Sequence, residues 1–439
     1  MDKFLIIGNG AREAIFAKKL AIDSKIYAVM GHENPTIINA VKANEGDYMV
    51  GDINDNSLII DFAKKNSIDY VFVNSDAPLA NGLVDDLMVA NVKVIGPTRQ
   101  GARIEWDKSY SIELVNNVAP NFTPKYIIVK NISQIDNALS YFNYKDIVVK
   151  PQGLTAGKGV KVMGEHLENI DEVIKYIQYL IDKGGEVLLC EKLQGFEFTI
   201  MGITDGSNFI FSPATYDYPY RNVGDSGPGT GGMGCFTDNK NILPFLSQSD
   251  YDDCCKIMKN VVQYMSSNNI HFNGVINGGF FLTKKGIKFM EFNSRFGDPE
   301  ALNILSVMQC SFSKLLLAIY NKNLDKFDCN FLSKASVVKY LVSNEYPEKG
   351  PKISFNLDVL EINKNNIDVY FSAARAINEE GNLYQTVSSS RVVALCCVAD
   401  NIVEASNKLN NVINSFIDKI NLDYRPDIGS ESEVEKLTI

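Results

Sequence analysis

The feature that most constrains the fold of this chain is the segment 288–300, whose first half alternates polar and apolar residues before a tight turn. If that half is a strand, successive side chains alternate between its two faces. Glu291 and Asn293 then share one face, and Met290 and Phe292 point to a core on the other. The pattern predicts a sheet with one packed face and one face that coordinates a ligand.

A carboxylate and an amide oxygen on one face suit Mg²⁺, which fills its remaining positions with waters and nucleotide phosphates. Arg295 follows in the turn and supplies a planar fork suited to a carboxylate or a phosphate. The alternative interpretation is an edge strand with a wet polar face, followed by an ordinary Gly-Asp-Pro turn.

A glycine-rich loop at 152–160 follows a predicted buried strand. Such loops let backbone N–H groups approach phosphate oxygens. It is not a P-loop, because only three residues separate Gly153 from Gly157, and Gly159 rather than Ser or Thr follows Lys158. A nucleotide site here must therefore take its metal ligands from elsewhere in the chain.

Lys150 ends the predicted strand 147–151 that precedes this loop. A flexible surface hairpin would explain the glycines, but burying an unpaired ammonium at the end of an apolar strand would be costly. The lysine therefore favours a binding site, and Glu291 and Asn293 can provide the missing metal ligands.

With these two motifs the chain resembles the ATP-grasp ligases, and among them the phosphoribosylamine–glycine ligase family of purine biosynthesis. The resemblance runs nearly end to end and rests on further motifs, which are Gly8-Asn9-Gly10-Ala11-Arg12-Glu13, Ala77-Pro78-Leu79, Gly96-Pro97-Thr98, the run Gly-Asp-Ser-Gly-Pro-Gly-Thr-Gly-Gly-Met-Gly at 224–234, and Arg-Phe-Gly-Asp-Pro-Glu at 295–300. The last two are highly specific to the family. The alternative for the run at 224–234, a plain glycine-rich turn, would need many matches by chance.

Length and pattern predict about three domains on a rough 150-residue rule. We expect a doubly wound α/β substrate domain at 1–100 and a terminal α+β domain at 334–430. Between them, the resemblance implies an ATP-grasp domain at 101–328 with a small lid at about 120–195. Locally, we expect one helix over 402–420.

Two further local expectations concern chain ends and turns. Residues 104–108 are expected in one helix, and the tail after Gly429 is expected to fray. The Gly-x-Gly turn near residue 10 is a weak dinucleotide signal, because Glu13 stands where close helix packing requires glycine. A helix N-terminus that binds one phosphate is the better interpretation.

A net charge of −10 argues against nucleic acid or an anionic membrane as a partner. No apolar run reaches the ~18 residues of a spanning helix, and the amino terminus starts with a strand rather than a leader. The eight cysteines show no metal-ligand spacing, so we expect reduced core thiols in a cytoplasmic protein. Only three histidines are present, which makes metal–histidine clusters improbable.

The resemblance implies roles for particular residues. ATP contacts are implied for Lys108, Lys150, Gly157, Lys158, Gly159, Glu191, Leu193 and Glu197. Contacts to phosphoribosylamine or glycine are implied for Gly10, Ala11, Arg12, Asp76, Asp217, Arg295, Gly297 and Asp298. Arg295, Asp298 and Lys158 are the implied catalytic residues, and Glu291 and Asn293 are the implied ligands of Mg²⁺ or Mn²⁺.

The implied reaction transfers a phosphoryl group from ATP to the glycine carboxylate, and the amine of phosphoribosylamine then attacks the glycyl phosphate. Such chemistry is mostly positioning and charge neutralisation, which fits a histidine-poor chain. The implied protein is a cytoplasmic monomer whose lid excludes water.

The chain departs from the family pattern mainly on the expected phosphoribosylamine side. Ala14 replaces a usual His, Asn74-Ser75-Asp76 replaces Gly-Pro-Glu, and Tyr218-Pro219-Tyr220-Arg221 stands where Asp-His-Lys-Arg is usual, with Asp217 kept; Ser388-Ser389-Ser390 and Leu302 depart elsewhere. Two alternatives therefore stay open: an ATP-grasp enzyme that activates another carboxylate, and a nucleotide-binding regulatory protein without catalysis.

Overall fold

The computed structural model of the protein describes residues 1–154, 159–378 and 380–438. The amino-terminal region is a parallel sheet in the order β3-β2-β1-β4-β5 with helices on both faces. Its strands are β1 Lys3–Ile7, β2 Lys25–Met30, β3 Tyr48–Val50, β4 Tyr70–Phe72 and β5 Val94–Ile95. Its helices are α1 Ala11–Leu20, α2 Pro35–Ala43, α3 Asn56–Lys65, α4 Asp76–Ala80 and α5 Leu83–Val89.

Two helices, α6 Arg103–Trp106 and α7 Lys108–Val118, lead by way of a 3₁₀ turn at Pro120–Phe122 to a small antiparallel sheet with the order β6-β9-β7-β8. The strands are β6 Tyr126–Val129, β7 Ile147–Pro151, β8 Lys161–Val162 and β9 Val187–Glu191. The helical segments are a 3₁₀ turn at Ile132–Gln134, α8 Ile135–Tyr141 and α9 Ile170–Asp182. This unit has its own apolar cluster and packs separately. We call it the lid, and its closure over a ligand stays a prediction.

A second antiparallel sheet, ordered β11-β10-β16-β17, forms the centre of the molecule. Its strands are β10 Gly195–Thr204, β11 Phe209–Phe211, β16 Gly274–Thr283 and β17 Gly286–Asn293. We call it the floor sheet. Helix α10, Gln248–Ser267, contacts β10, β16 and β17, and buries its apolar side in the main core. It begins at a capping box in which Ser247 and Asp250 satisfy each other's backbone N–H groups.

A third sheet, ordered β12-β15-β18-β23-β20, joins distant parts of the chain. Its strands are β12 Tyr216–Asp217, β15 Gly234–Thr237, β18 Ala335–Leu341, β20 Ile367–Phe371 and β23 Val393–Ala399. Smaller pieces are the hairpin β13 Tyr220–Asn222 with β14 Ser226–Gly229, and the ribbon β19 Ser354–Asn356, β22 Leu383–Thr386 and β21 Ala374–Ala376. The helices are α11 Glu300–Val307, α12 Phe312–Tyr320, a 3₁₀ turn at Leu324–Lys326, α13 Val359–Lys364, α14 Ile402–Asn414, a 3₁₀ turn at Ile417–Lys419 and α15 Glu431–Lys436.

The third sheet takes two strands from residues 216–237, within the segment 101–328, and the others from beyond residue 334. One large apolar cluster runs from helix α1 through the floor sheet to this third sheet, and a smaller cluster fills the other face of the amino-terminal sheet. The domain boundaries proposed from sequence stay a prediction.

The expectation of one helix over 104–108 was wrong. Helix α6 ends at Trp106 and α7 starts at Lys108, because Asp107 between them is extended and its carboxylate accepts the Tyr110 N–H at 2.9 Å. An aspartate at this position satisfies an otherwise free N–H of the new helix and so starts α7 in a new direction.

The helix expected at 402–420 ends earlier, at Asn414, and only a short 3₁₀ turn follows. The tail does not simply fray. Ser430 starts helix α15 by accepting the Glu433 N–H, and Leu437 is buried against the main core. An apolar contact with distant residues therefore holds a segment whose polar composition suggested a loose end.

The cysteine expectation was correct for six residues, which are buried free thiols, and wrong for two. Cys310 and Cys329 form a disulfide with their Cα atoms 5.1 Å apart. Their sequence separation of 19 gave no local signal for this pairing. In the described ranges, none of the helices combines the length and apolar character needed to cross a bilayer.

Candidate active site

A cavity of about 380 Å³ opens where the amino-terminal sheet, helices α6 and α7, the lid and the floor sheet meet. Pockets of this size hold small ligands. Its lining includes apolar side chains, among them Ile112 and Leu188, which share one apolar cluster, and charged side chains such as Asp76 and Arg295, which interact with each other. The cavity therefore offers an apolar slot beside a polar chamber.

The floor sheet places the proposed metal ligands on the cavity side. Glu291 lies opposite Gly279, and Asn293 lies opposite Asn277, on adjacent strands. Directly paired residues of antiparallel strands project on the same face. Both proposed ligands and Asn277 line the cavity, which is the arrangement expected from the alternation at 288–293.

The expectation for the opposite face was half wrong. Phe292 is buried in the core, but Met290 is only half-buried, and the buried residue beside it is Phe289. A β-bulge next to Gly279 shifts the register there, and two consecutive residues oppose one on the partner strand. A bulge depends on the partner strand, so the alternation within β17 alone could not reveal it.

The cavity supplies three candidate oxygen ligands, and one of them lacks a partner. Asn277 Oδ1 is buried and accepts no hydrogen bond, and Glu291 and Asn293 extend from the neighbouring strand. In the described residues, no cluster of three or more His, Cys, Asp or Glu side chains could hold a metal alone. The oxygen-only set fits a hard cation such as Mg²⁺, provided that phosphates and waters complete its coordination.

Two of the proposed phosphate-binding lysines line the cavity. Lys150 is buried and its ammonium donates to the Met290 carbonyl oxygen at 3.1 Å, which answers the question of how this charge is tolerated. Lys108 Nζ donates to the Gly153 carbonyl oxygen at 2.9 Å, and desolvation lowers its pKa. Each ammonium retains donors for an anion.

Part of the glycine-rich loop at 152–160 lies outside the described residues. The proposals for Gly157 and Lys158 fall in the gap 155–158, so their placement is not addressed. Gly159 is described, and its carbonyl oxygen accepts the Tyr176 hydroxyl at 2.8 Å. It does not line the cavity, although Gly153 and Val160 on either side of the loop do.

The three residues proposed for adenosine lie outside the cavity lining. Glu191 Oε1 accepts the Lys125 N–H at 2.8 Å, and Leu193 follows on the connection to the floor sheet. Glu197, on β10, is exposed along part of its side chain, yet protein surrounds it closely enough that desolvation raises its pKa to about 7, and the Glu291 charge adds to the rise.

Alternating charges line the polar chamber. Burial would raise the pKa of Asp76, but Arg295 and then Arg12 lower it below its usual range. Burial would lower the pKa of Arg12, but Glu13, Asp76 and Asp298 raise it. Arg12 Nη1 also donates to the Phe296 carbonyl oxygen at 3.1 Å. These groups keep their charges and cross-link the amino-terminal domain to the turn after β17.

Asp298 is held from two sides. The Tyr340 hydroxyl donates to Oδ1 at 2.6 Å, and Arg391 Nη2 donates to Oδ2 at 3.1 Å. Arg391 lies over the Tyr340 ring at 4.4 Å and also donates to the Gly231 and Gly232 carbonyl oxygens. The terminal domain thus contributes a guanidinium that fixes the turn and lines the cavity.

Two carboxyls beside this turn are desolvated. Desolvation raises the pKa of both Asp217 and Glu300, and the Glu300 charge adds to the rise for Asp217. Asp217 Oδ1 is buried without a partner, and Glu300 lines the cavity. A Cβ on Gly297 would come within 2.6 Å of Glu300 Cδ, so glycine is required for this close approach.

The amino-terminal glycine turn differs from the simple phosphate site expected. The Gly10 N–H donates to Glu13 Oε2 at 2.9 Å, and Ala11 is buried in the core. An anion at this helix terminus would have to displace or share the Glu13 carboxylate. Gly10 lies beside Asp298, since a Cβ there would stand 3.7 Å from Oδ2.

Comparisons with known proteins agree with this geometry. The family model "Phosphoribosylglycinamide synthetase, N domain" matches residues 2–105, and the model "Phosphoribosylglycinamide synthetase, ATP-grasp (A) domain" matches residues 106–301. A phosphoribosylamine–glycine ligase of Methanocella arvoryzae is 37% identical over 99% of this chain and 98% of its own length. The chain belongs to the phosphoribosylamine–glycine ligase family.

Other members are similar in extent. The phosphoribosylamine–glycine ligase of Methanobrevibacter smithii is 36% identical over 99% of this chain and 98% of its own length. The crystal structure of the phosphoribosylamine–glycine ligase from Thermotoga maritima superposes with a TM-score of 0.75 at 21% identity, covering 97% of this chain and 100% of that one. A biotin carboxylase domain of Hydrogenobacter thermophilus with MgADP has a TM-score of 0.70 at 14% identity, covering 96% and 91%, and shares the fold.

Sequence reasoning about this ligase-family chain missed four cavity residues, namely Glu105, Asn277, Glu300 and Arg391. Glu300 closes the Arg-Phe-Gly-Asp-Pro-Glu motif, so its place in the motif was an available signal. Arg391 follows the Ser388–Ser390 departure from the family pattern, a weaker signal. Nothing local marked Glu105 or Asn277, because their roles depend on neighbours far along the chain.

Proposed function

We propose that the protein catalyses the ATP-dependent ligation of glycine to 5-phosphoribosylamine, giving glycinamide ribonucleotide, ADP and phosphate in purine biosynthesis. The observation that carries the proposal is one cavity that joins an apolar slot, two lysines, a carboxylate–amide pair and a chamber with Arg295. Full-length relatives at 36–37% identity that bear the ligase name support it.

The apolar end suits a purine base, and Lys108 and Lys150 at its border suit the phosphates of ATP. Glu291 and Asn293 would hold Mg²⁺ or Mn²⁺, which when bound neutralises phosphate charge during transfer. Lys158, Gly157 and Gly159 remain proposed ATP contacts on the loop, and Glu191, Leu193 and Glu197 remain proposed contacts to the nucleoside.

In the first step the glycine carboxylate oxygen attacks the γ-phosphorus, a new P–O bond forms, and ADP leaves. Arg295 is suited to the carboxylate, because its Nε is buried without a partner. The pair Asp217 and Glu300 is suited to the glycine ammonium, since two desolvated carboxyls, with Asp217 Oδ1 buried without a partner, form a site for a cation.

In the second step the amine of phosphoribosylamine attacks the acyl carbon of glycyl phosphate. A C–N bond forms, the C–O bond to phosphate breaks, and the amine loses a proton as phosphate leaves. Arg12, Asp76 and Asp298 are the proposed contacts to this substrate, with Gly10, Ala11 and Gly297 giving the backbone close approach. The chamber excludes water that would hydrolyse the acyl phosphate.

The test is an assay of ADP formation coupled to a dehydrogenase, with phosphoribosylamine generated in place and product identified by mass. We expect ADP release only when ATP, divalent cation, glycine and phosphoribosylamine are all present. Release driven by another carboxylate and not by glycine would overturn the substrate assignment. Nucleotide binding without turnover in every mixture would instead indicate a regulatory protein.

We also propose that the protein acts as a monomer in the cytoplasm. Both assignments rest on the resemblance to the ligase family. Sedimentation at assay concentration should give a mass near 48.8 kDa. A stable dimer would contradict this part of the proposal.

A further inference from the structure

Glu105 is a cavity carboxylate whose two oxygens are both engaged with the turn after β17. It lies on helix α6 and is buried. Its Oε2 accepts the Ser294 N–H at 2.8 Å and the Ser294 hydroxyl at 2.9 Å. Its Oε1 pairs with Arg295 Nη2 at 3.0 Å. A buried carboxylate that accepts this many donors fixes the groups around it.

The same guanidinium nitrogen also reaches a proposed metal ligand. Arg295 Nη2 donates to Asn293 Oδ1 at 3.2 Å, so the amide oxygen that would bind the cation is engaged by a positive group. A cation on this oxygen requires Arg295 to find its main partner elsewhere. Glu105 provides that partner, because a carboxylate is a stronger acceptor for a guanidinium than an amide.

The other nitrogens of the Arg295 guanidinium differ in their partners. Nη1 donates to the Phe296 carbonyl oxygen at 3.2 Å, and Nε is buried without an acceptor. A buried donor without a partner is costly unless a ligand supplies one. With Nη2 held by Glu105, the Nε edge remains for an anionic substrate group.

We infer that Glu105 is a positioning residue, which keeps Arg295 paired when a cation takes the Asn293 amide oxygen, so that Arg295 can release this oxygen and present its Nε edge to substrate. The inference rests on the proposed function for the identity of the substrate anion. Its metal-related part depends only on the contacts among Glu105, Asn293 and Arg295.

A purely structural role would be a tie between helix α6 and the end of β17 through Ser294. Substitutions distinguish this structural role from the positioning role. Glu105→Gln keeps an oxygen for Ser294 but turns an amide N–H₂ toward Arg295, which then retains its hydrogen bond to Asn293 Oδ1 and competes with the cation for this oxygen. Ser294→Ala removes one tie and leaves the Arg295 pair intact. Glu113→Gln, on the exposed side of α7, is the matched control.

The first measurement is calorimetric binding of a non-hydrolysable ATP analogue, with Mn²⁺ and with chelator. The ratio of the two affinities gives the increase in nucleotide affinity due to the metal, here called the metal gain. A loosened fold would lower both affinities and leave this ratio unchanged. We expect Glu105→Gln to reduce this gain by ~10- to 100-fold, as for other groups that orient metal ligands. Ser294→Ala and Glu113→Gln should stay within about threefold of the parent.

The second measurement is steady-state kinetics. Glu105→Gln should lower kcat and raise the KM for glycine, with the KM for phosphoribosylamine changed less. Equal metal gains for Glu105→Gln and the parent protein, or equal losses for Glu105→Gln and Ser294→Ala, would overturn the inference. If Glu105→Gln does not fold, Glu105→Asp replaces it and must still affect the metal gain more than Ser294→Ala does. An inactive parent with normal metal binding would refute the proposed function and leave the metal test decisive for Glu105.

Discussion

The sharpest prediction concerns the carboxyl pair Asp217 and Glu300 and the glycine ammonium. Burial raises the pKa of both groups, so in the free protein a proton is retained to higher pH than for an ordinary carboxyl. The glycine ammonium binds the ionised form of these carboxyls. Glycine binding must therefore be coupled to proton release, and below the raised pKa the KM for glycine should fall about tenfold for each unit of increasing pH.

The perturbation is Asp217→Asn, which keeps the shape and removes the charge. A hydrogen bond to a charged group contributes about 1.5–3 kcal/mol, which corresponds to a rise of about 10- to 150-fold in the KM for glycine. The KM for ATP should not change, because Lys108 and Lys150 line the cavity and Asp217 does not. The slope of the glycine KM against pH should become shallower.

The assay measures ADP release at saturating ATP and phosphoribosylamine while glycine and pH are varied. The matched control is Asp238→Asn, since burial also raises the pKa of Asp238, whose carboxylate accepts only the neighbouring Asn239 N–H. An unchanged glycine KM in Asp217→Asn, or an equal rise in the KM for ATP, would refute the ammonium assignment.

Three further predictions test other parts of the structure. Glu291→Ala should abolish turnover and keep the circular dichroism spectrum, and a retained metal-dependent rate would contradict the metal assignment. Arg425→Met should lower the free energy of unfolding by about 3–5 kcal/mol in urea titration, because Arg425 is 1% exposed and its loss leaves Asp427 without its partner; a change below about 1 kcal/mol would show that this pair is dispensable. Denatured but unreduced protein should present six titratable thiols, and eight would show that Cys310 and Cys329 are not bonded.

Much of the fold followed from local patterns. The apolar runs and turns correctly indicated strands β1, β7 and β9, and the alternation at 288–293 indicated a strand with Glu291 and Asn293 on one face. These features depend on side-chain periodicity, which a sequence carries directly. The family motifs added the order of the domains and the nature of the reaction, because glycine-rich turns of that composition have few other uses.

Other features depended on neighbours distant in sequence. The bulge that exposes Met290 to the cavity depends on the partner strand β16, and the helix at 431–436 depends on contacts with the main core. The helix break at Asp107 had a local cause, a cap, that the apolar pattern around it obscured. Such features need either tertiary contacts or attention to single polar residues.

By itself, the sequence determined the set of reactive groups: the pair Glu291 and Asn293, the lysine that ends β7, the glycine-rich loop, and near absence of histidine. Only the tertiary structure decided how they are partnered, because a hydrogen bond or an ion pair depends on atoms a few ångströms apart. Glu105 is 189 residues from Ser294, and Arg391 is 93 residues from Asp298. Chain folding brings those charges together, and short-range electrostatics then sets which of them stay free for substrate.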